Sequence, residues 1–231
     1  MTMNTSINRN REQFLTLLKG EKFPKGIIDA FAGVRQEWFF DQALQEKFYT
    51  GEPLPLGMGE FGDAPMDMAR MIRRLGPQKK WRLLEVGTGS GYSTALLSGL
   101  VKEIVTVEWN EKLASLAKMN LKGAKIDNVR VFQGDGTLFD EGLGLFDGII
   151  IFAALRKRPL SLTRQLKRGA RISFPMGNPS QQQITVMINE PPDNLEEEGD
   201  LFTTSFHEFC VFPPVRGRYG WDQVAHSSFS E

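Results

Sequence analysis

The chain has little cysteine, little histidine and no surplus of charge, and each shortage closes off a class of function. A single cysteine, Cys210, leaves no internal disulfide framework to form and suits a reducing compartment. It sits in the apolar run Phe209 to Phe212, where a thiol packs as a small hydrophobe. The two histidines, His207 and His226, lie outside any motif. No metal-ligand spacing is visible, and no Ser-His-Asp or Cys-His arrangement can be assembled. Lysine plus arginine equals aspartate plus glutamate at 28 each, so bulk charge calls for neither nucleic acid nor an anionic membrane. No apolar run approaches the ~20 residues of a membrane span. The polar start NTSINRNREQ lacks a signal-like apolar core. The expectation is a cytoplasmic monomer without a metal.

What is present is ordinary for a globular protein: 231 residues, 41% hydrophobic and 24% charged, enough for one compact domain. Its organising stretch is RLLEVGTGSGYSTALL, from Arg82. A short apolar run (Leu83, Leu84, Val86) ends in alternating Gly87, Gly89 and Gly91, and a helix-like segment with Ala95, Leu96, Leu97 and Leu100 follows. Strand, glycine turn and helix open a nucleotide-binding α/β unit. The dinucleotide fingerprint needs glycine where Tyr92 stands, and a P-loop needs a lysine that this loop lacks. Glu85, just before the glycines, suits a ligand carrying an ammonium and a sulfonium better than a pyrophosphate. S-adenosylmethionine has both cations and ribose hydroxyls. Taken alone, the loop also fits an ordinary glycine-rich turn.

Three further acids follow the same series of strands. EIVTVE ends in Glu108, 17 residues beyond Gly91, where an acid can accept hydrogen bonds from both hydroxyls of a ribose. In VRVFQGDGT, Asp135 lies between Gly134 and Gly136, placed to reach the adenine end of the same ligand. FDGIIIFAA carries Asp147 at the start of an apolar strand.

These residues resemble the S-adenosylmethionine-dependent methyltransferases, and within them the protein-L-isoaspartate O-methyltransferase family. The match runs through LLEVGTGSGYSTALL, VTVEWNEKLA, NVRVFQGDGT, FDGIIIFAA, LKRGARISFPMG, the glutamines 181–183 and the upstream stretch EPLPLGMGEFGDAP. It covers roughly residues 25 to 220. The resemblance implies a Rossmann-like α/β fold, with a mainly parallel seven-stranded sheet, helices on both faces and an N-terminal helical addition. It implies S-adenosylmethionine held by Glu85, Gly87, Thr88, Gly89, Gly91, Tyr92, Glu108, Trp109, Gly134, Asp135 and Gly136. It also implies a protein or peptide substrate bearing a carboxylate acceptor. In that family the segment before the core closes over the methyl donor and lines the substrate entrance. The usual Gly-Gln-Thr-Ile-Ser-Ala-Pro reads here Gly59, Glu60, Phe61, Gly62, Asp63, Ala64, Pro65. Asp63 stands where the family carries a hydroxyl near the reacting groups, and is the candidate catalytic residue.

Along the chain, residues 1 to about 10 are expected to fray, followed by helices from Arg11 and over 26–34. Trp38, Phe39 and Phe40 read as an aromatic anchor for this N-terminal cover, which extends to residue 75. The methyltransferase core spans 76–222, with a tail at 223–231. Helices are expected at 66–75, 111–123 and 159–168, the last stopping at Gly169. Strands are expected near 129, 146, 170, 183–189 and 205–212, with the order of the last two open. PPDNLEEEGD reads as a solvated acidic loop.

Methyl transfer from a sulfonium is a direct displacement, so a protein must mainly align the reactants and exclude water. An acceptor carboxylate, with an unperturbed pKa of about 4, needs no general base at neutral pH. An ionised Asp63 about 4 Å from it would be repelled by about 4 kcal/mol at an effective dielectric near 20. Asp63 must then be protonated, turned away or paired with a cation such as Arg156, Lys157, Arg158, Arg216 or Arg218. Two alternatives stay open beside carboxyl methylation: another acceptor, or a cofactor-binding protein without turnover.

Overall fold

The computed structural model describes residues 3–138, 142–190 and 202–221. Helices α1 (Met3–Gly20) and α2 (Lys25–Gly33) lead into two 3-10 turns, Gln36–Trp38 and Gln42–Lys47. A small hairpin follows, β1 (Pro55–Gly57) with β2 (Glu60–Phe61). Then come α3 (Pro65–Leu75), β3 (Arg82–Val86), α4 (Tyr92–Ser98), β4 (Glu103–Glu108), α5 (Glu111–Gly123), β5 (Val129–Gln133) and β6 (Phe146–Ile151). Next are α6 (Leu160–Thr163), β7 (Leu166–Asn178), β8 (Gln181–Ile188) and β9 (Thr203–Cys210), and residues 211–221 form an irregular strap.

Strands β3, β4 and β6 are buried along most of their length because they sit mid-sheet, and parallel strands covered on both faces read as continuous apolar runs. The 7-stranded sheet has the order β5-β4-β3-β6-β7-β8-β9. The first five are parallel; β8 runs antiparallel to β7, and β9, antiparallel to β8, resumes the direction of the first five. This is the Rossmann-like α/β architecture, and it settles the order of the last two strands. Strand β8 folds straight back on β7, with Asn178 opposite Gln181, and β9 takes the edge. Strand order reverses between β3 and β6, so the crevice for a ligand opens at their carboxyl ends.

Helix α3 shows why the cover holds its place. Pro65 occupies its first turn, Gly76 caps it in the left-handed conformation, and Met68, Met71, Ile72 and Leu75 bury one face. Arg73 and Arg74 both reach Glu208 on β9, at 2.8 and 2.5 Å. The Arg74 hydrogen bonds draw that carboxyl down to about 2. Asp67 accepts from the Val211 N–H at 3.2 Å, tying the start of α3 to the strap.

Some elements differ from expectation. Residues 3–10 are helical where fraying is expected: α1 begins at Met3, with Ile7 buried and the Asn10 side chain donating to the Phe48 carbonyl, while residues 1 and 2 lie outside the described residues. Leu17 of this helix is exposed, while Phe14 and Leu18 are buried. The expected helix over 159–168 shrinks to Leu160–Thr163, and Gly169 stops no helix. It lies inside β7 with φ +74°, its N–H donating to the Asn189 carbonyl at a local irregularity of the strand. Sheet pairing of Leu166 with Phe146 overrides the helical pattern there. The acidic stretch 191–200 and the tail beyond Trp221 lie outside the described residues.

Candidate functional site

The glycine loop leaves β3 under close constraint. Gly87 has φ +93°, and a Cβ there would lie 3.2 Å from the Phe152 carbonyl oxygen at the end of β6. Its N–H donates to Val107, while the Phe152 N–H donates to Val86, so three strand ends are stitched together under the loop. Gly91 (φ +89°) faces the other way, and its missing side chain lets the loop settle against Leu121 and Ala117 of α5. The Thr88 hydroxyl lies 2.6 Å from that of Thr106.

Glu108 closes the turn. One carboxylate oxygen accepts from the Gly89 N–H and the other from the Asn110 N–H, each at 2.9 Å. Burial raises its pKa above the ordinary range against those bonds. Beside it Trp109 leaves about half its surface open along the wall of the cleft.

Glu85 corrects the expectation of direct ligand contact. It is fully buried beneath the loop, where its oxygens accept from the Ser93 and Thr94 hydroxyls at 2.6 and 2.5 Å. Burial raises its pKa to about 7. Its place supports the start of α4 and does not line the cleft. Asp135 is likewise turned from the cleft. It accepts from the Thr137 N–H and hydroxyl at 2.8 and 2.6 Å, and from the strap's Arg218 N–H at 2.7 Å. Gly134 ties β5 to the Glu108 carbonyl, and neither Gly134 nor Gly91 reaches the cleft lining.

The cleft gathers Gly87, Thr88, Gly89, Tyr92, Glu108, Trp109 and Gly136 with Asp63, around roughly 820 Å³ of space partly open to solvent. Of its other wall, the resemblance implies only the segment 52–65, which supplies Leu56, Phe61 and Asp63. Phe40, Leu56, Phe61 and Met68 come from the cover, Phe152 and Ala153 from the end of β6, and Pro213 to Arg216 from the strap. Phe40, read only as an anchor, packs edge-on against Tyr92 at 5.9 Å and also lines the cleft. The Pro213-Pro214 pair was the available signal for the strap. Pairing of its backbone with Ala154 brings it across the strand ends.

Asp63 is half-buried, with Oδ1 sealed from solvent and without a hydrogen-bond partner. Burial holds its pKa well above the usual carboxylate range, and the nearby Asp67, Glu85 and Glu108 add to the shift. Among the described residues no ion pair joins a cation to it. Arg216 instead lies 3.6 Å from Glu60 at the rim. Arg156, Lys157, Arg158 and Arg218 line a separate hollow beside α6, with the Arg156 guanidinium 5.0 Å above the Trp221 ring.

A family model described as protein-L-isoaspartate(D-aspartate) O-methyltransferase (PCMT) matches residues 9–206. A protein-L-isoaspartate O-methyltransferase of Petrotoga mobilis is 34% identical over 196 residues, covering 84% of this chain and 89% of that protein. The Vibrio parahaemolyticus protein of the same name is 35% identical over 189 residues, covering 82% and 86%. A solved structure named protein-L-isoaspartate O-methyltransferase superposes with a TM-score of 0.77 at 24% identity, covering 91% of this chain and 67% of that one. A Plasmodium falciparum structure described as a beta-aspartate methyltransferase in complex with S-adenosyl-L-homocysteine gives a TM-score of 0.74 at 18% identity, covering 89% and 98%. At those identities the two structures speak for the fold.

Proposed function

The chain belongs to the protein-L-isoaspartate(D-aspartate) O-methyltransferase family, and on that premise we propose that it methylates the free carboxylate of damaged aspartyl residues in proteins or peptides. It is an S-adenosylmethionine-dependent O-methyltransferase. The observation that carries the reading is the cleft at the β3–β6 switch point, floored by bare main chain and walled by carboxyl groups.

Those residues fit a sulfonium compound. Gly87 to Gly89 offer a floor without side chains beyond Thr88, Glu108 lies at the end of β4 for a ribose, and Trp109 offers an apolar face for a base. Bound there, S-adenosylmethionine supplies a methyl group already activated on a positively charged sulfur. Gly87, Thr88, Gly89, Tyr92, Glu108, Trp109 and Gly136 hold it, and Glu85, Gly91, Gly134 and Asp135 hold the loops that form its seat. The acceptor carboxylate, ionised at neutral pH, requires no base, so the chain's work is alignment and exclusion of water. Phe40, Phe61, Phe152 and the two prolines provide the dry wall, and Asp63 stands beside the acceptor. The balanced charge gives no bulk attraction for nucleic acid or an anionic membrane, and the single cysteine suits a reducing compartment. No helix among the described residues is long and apolar enough to cross a membrane.

The changed loop at 60–63 favours a second reading, a different acceptor. Transfer of labelled methyl to an isoaspartyl peptide, with none to its aspartyl twin, is the expected result. Calorimetric binding of S-adenosylhomocysteine without such transfer would leave the second reading standing. No binding by the folded protein would remove both.

A further inference from the structure

We propose that Asp63 recognises the acceptor as a carboxylic acid, donating its O–H to the carboxylate oxygen that does not receive the methyl group. The inference rests on the carboxyl-methyltransferase reading above. It assigns to an acid the place where the resembled family carries a hydroxyl.

Position comes first. Asp63 lies in the cleft lining with Gly87, Gly89 and Glu108, and it immediately precedes the Ala64 cap of α3. That helix is held by the Asp67–Val211 bond and the two arginine bridges to Glu208, so Asp63 is presented from a fixed element. Its Oδ1 is sealed without a partner in the protein, which penalises the charged form, while the half-buried residue still lines the cleft where an acceptor would enter.

The surroundings decide which partner. The titratable groups around Asp63 are Asp67 from α3, Glu85 from β3, Glu108 from β4, Tyr92 from α4 and Cys210 from β9. Glu60 of β2 lies along the same lining, bridged to Arg216. Burial in this acidic company favours the neutral carboxyl. A neutral carboxyl is a donor, and its hydrogen bond to a carboxylate is of the strong, charge-assisted kind. An ionised Asp63 at the same place would repel the acceptor, so the protonation state turns the contact from a barrier into a hold. Asp63 gives up no proton: its O–H stays in place while the acceptor's other oxygen takes the methyl group.

The test compares wild type with Asp63→Asn, Asp63→Ser and Asp63→Ala, using an isoaspartyl peptide, S-adenosylmethionine and a range of pH. Removing a hydrogen bond to a charged group should lower kcat/KM in Asp63→Ala by about 10- to 100-fold. Asp63→Asn and Asp63→Ser keep a donor and should fall less. Wild-type activity should decline as pH rises through the raised Asp63 pKa, and that decline should vanish in Asp63→Asn. S-adenosylhomocysteine binding should be alike in all four. At neutral pH the infrared carbonyl band of a protonated acid should be present in wild type and reduced in Asp63→Asn. Full activity in Asp63→Ala, an alkaline decline retained by Asp63→Asn, or an ionised Asp63 in active enzyme would overturn the donor role alone. A protonated Asp63 in a chain that binds S-adenosylhomocysteine but cannot methylate the peptide would instead sink the acceptor assignment, and this role with it.

Discussion

The two walls of the cleft are built on different terms. On the cofactor side, Gly87 and Glu108 sit at the ends of the central strands β3 and β4 and Gly136 just beyond the edge strand β5, and the polar groups are already engaged: Glu108 with Gly89 and Asn110, Thr88 with Thr106. On the acceptor side, the residues come from a two-residue strand, an irregular loop and the strap. Phe61 is more than half exposed there, and Asp63 keeps an unpaired buried oxygen. One wall is completed by the fold and the other waits for substrate. Pre-formed electrostatics belong where the ligand is constant, while unsatisfied groups belong where an acceptor must be selected.

The sharpest break in this contrast is Gly87→Val. At φ +93°, with the Phe152 carbonyl 3.2 Å from the position of a Cβ, a branched side chain must displace the floor. Calorimetric titration should show S-adenosylhomocysteine affinity reduced by about 100-fold or more, a loss of some 3 kcal/mol. Retention of wild-type affinity would mean that the floor is not the seat.

Gly62→Ile probes the acceptor wall. A Cβ there would lie 2.9 Å from the Phe40 ring, and overpacking of this kind costs about 1–3 kcal/mol. Thermal unfolding should show a Tm lower by roughly 2–10 °C, while the folded variant binds S-adenosylhomocysteine nearly as wild type does. Restoring the family's isoleucine alone is thus expected to harm this chain, because Phe40 has filled the space. A Tm unchanged or raised would show that Phe40 can move aside freely.

The smallest effect belongs to the rim. The pair between Glu60 and Arg216, at 3.6 Å and partly exposed, is worth about 0–1 kcal/mol. Glu60→Gln should change the peptide KM by no more than about fivefold, and added salt should narrow the difference. A larger change that persists at high salt would make the rim part of the recognition wall.

Legibility followed the same divide. Glycine spacing and the acid at Glu108 were readable because a strand-turn-helix unit is local, with its partners a fixed number of residues apart. Glu85 and Asp135 were readable as acids near a ligand, but not in their orientation. The hydroxyls of Ser93 and Thr94 turned Glu85 inward, and the strap's Arg218 N–H claimed Asp135. Phe40, Phe152 and Pro213 carry no local signal for a shared cleft. They meet because the loop after the first 3-10 turn, the end of β6 and the strap, far apart in sequence, converge at the carboxyl ends of the central strands. Gly169 failed as a helix stop for a related reason, since β6 offered Leu166 a strand partner that no window around it could reveal.

By itself the sequence determined the alternation of strands and helices, the glycine floor and the acid that closes it, because backbone freedom and hydrophobic period act over a few neighbouring residues. Only the tertiary structure decided that Asp63 lies half-buried among carboxyl groups, with no ion pair to it among the described residues. Charge state depends on which groups lie within a few ångströms in space, and residues 63, 85, 108 and 210 become neighbours only when the sheet forms.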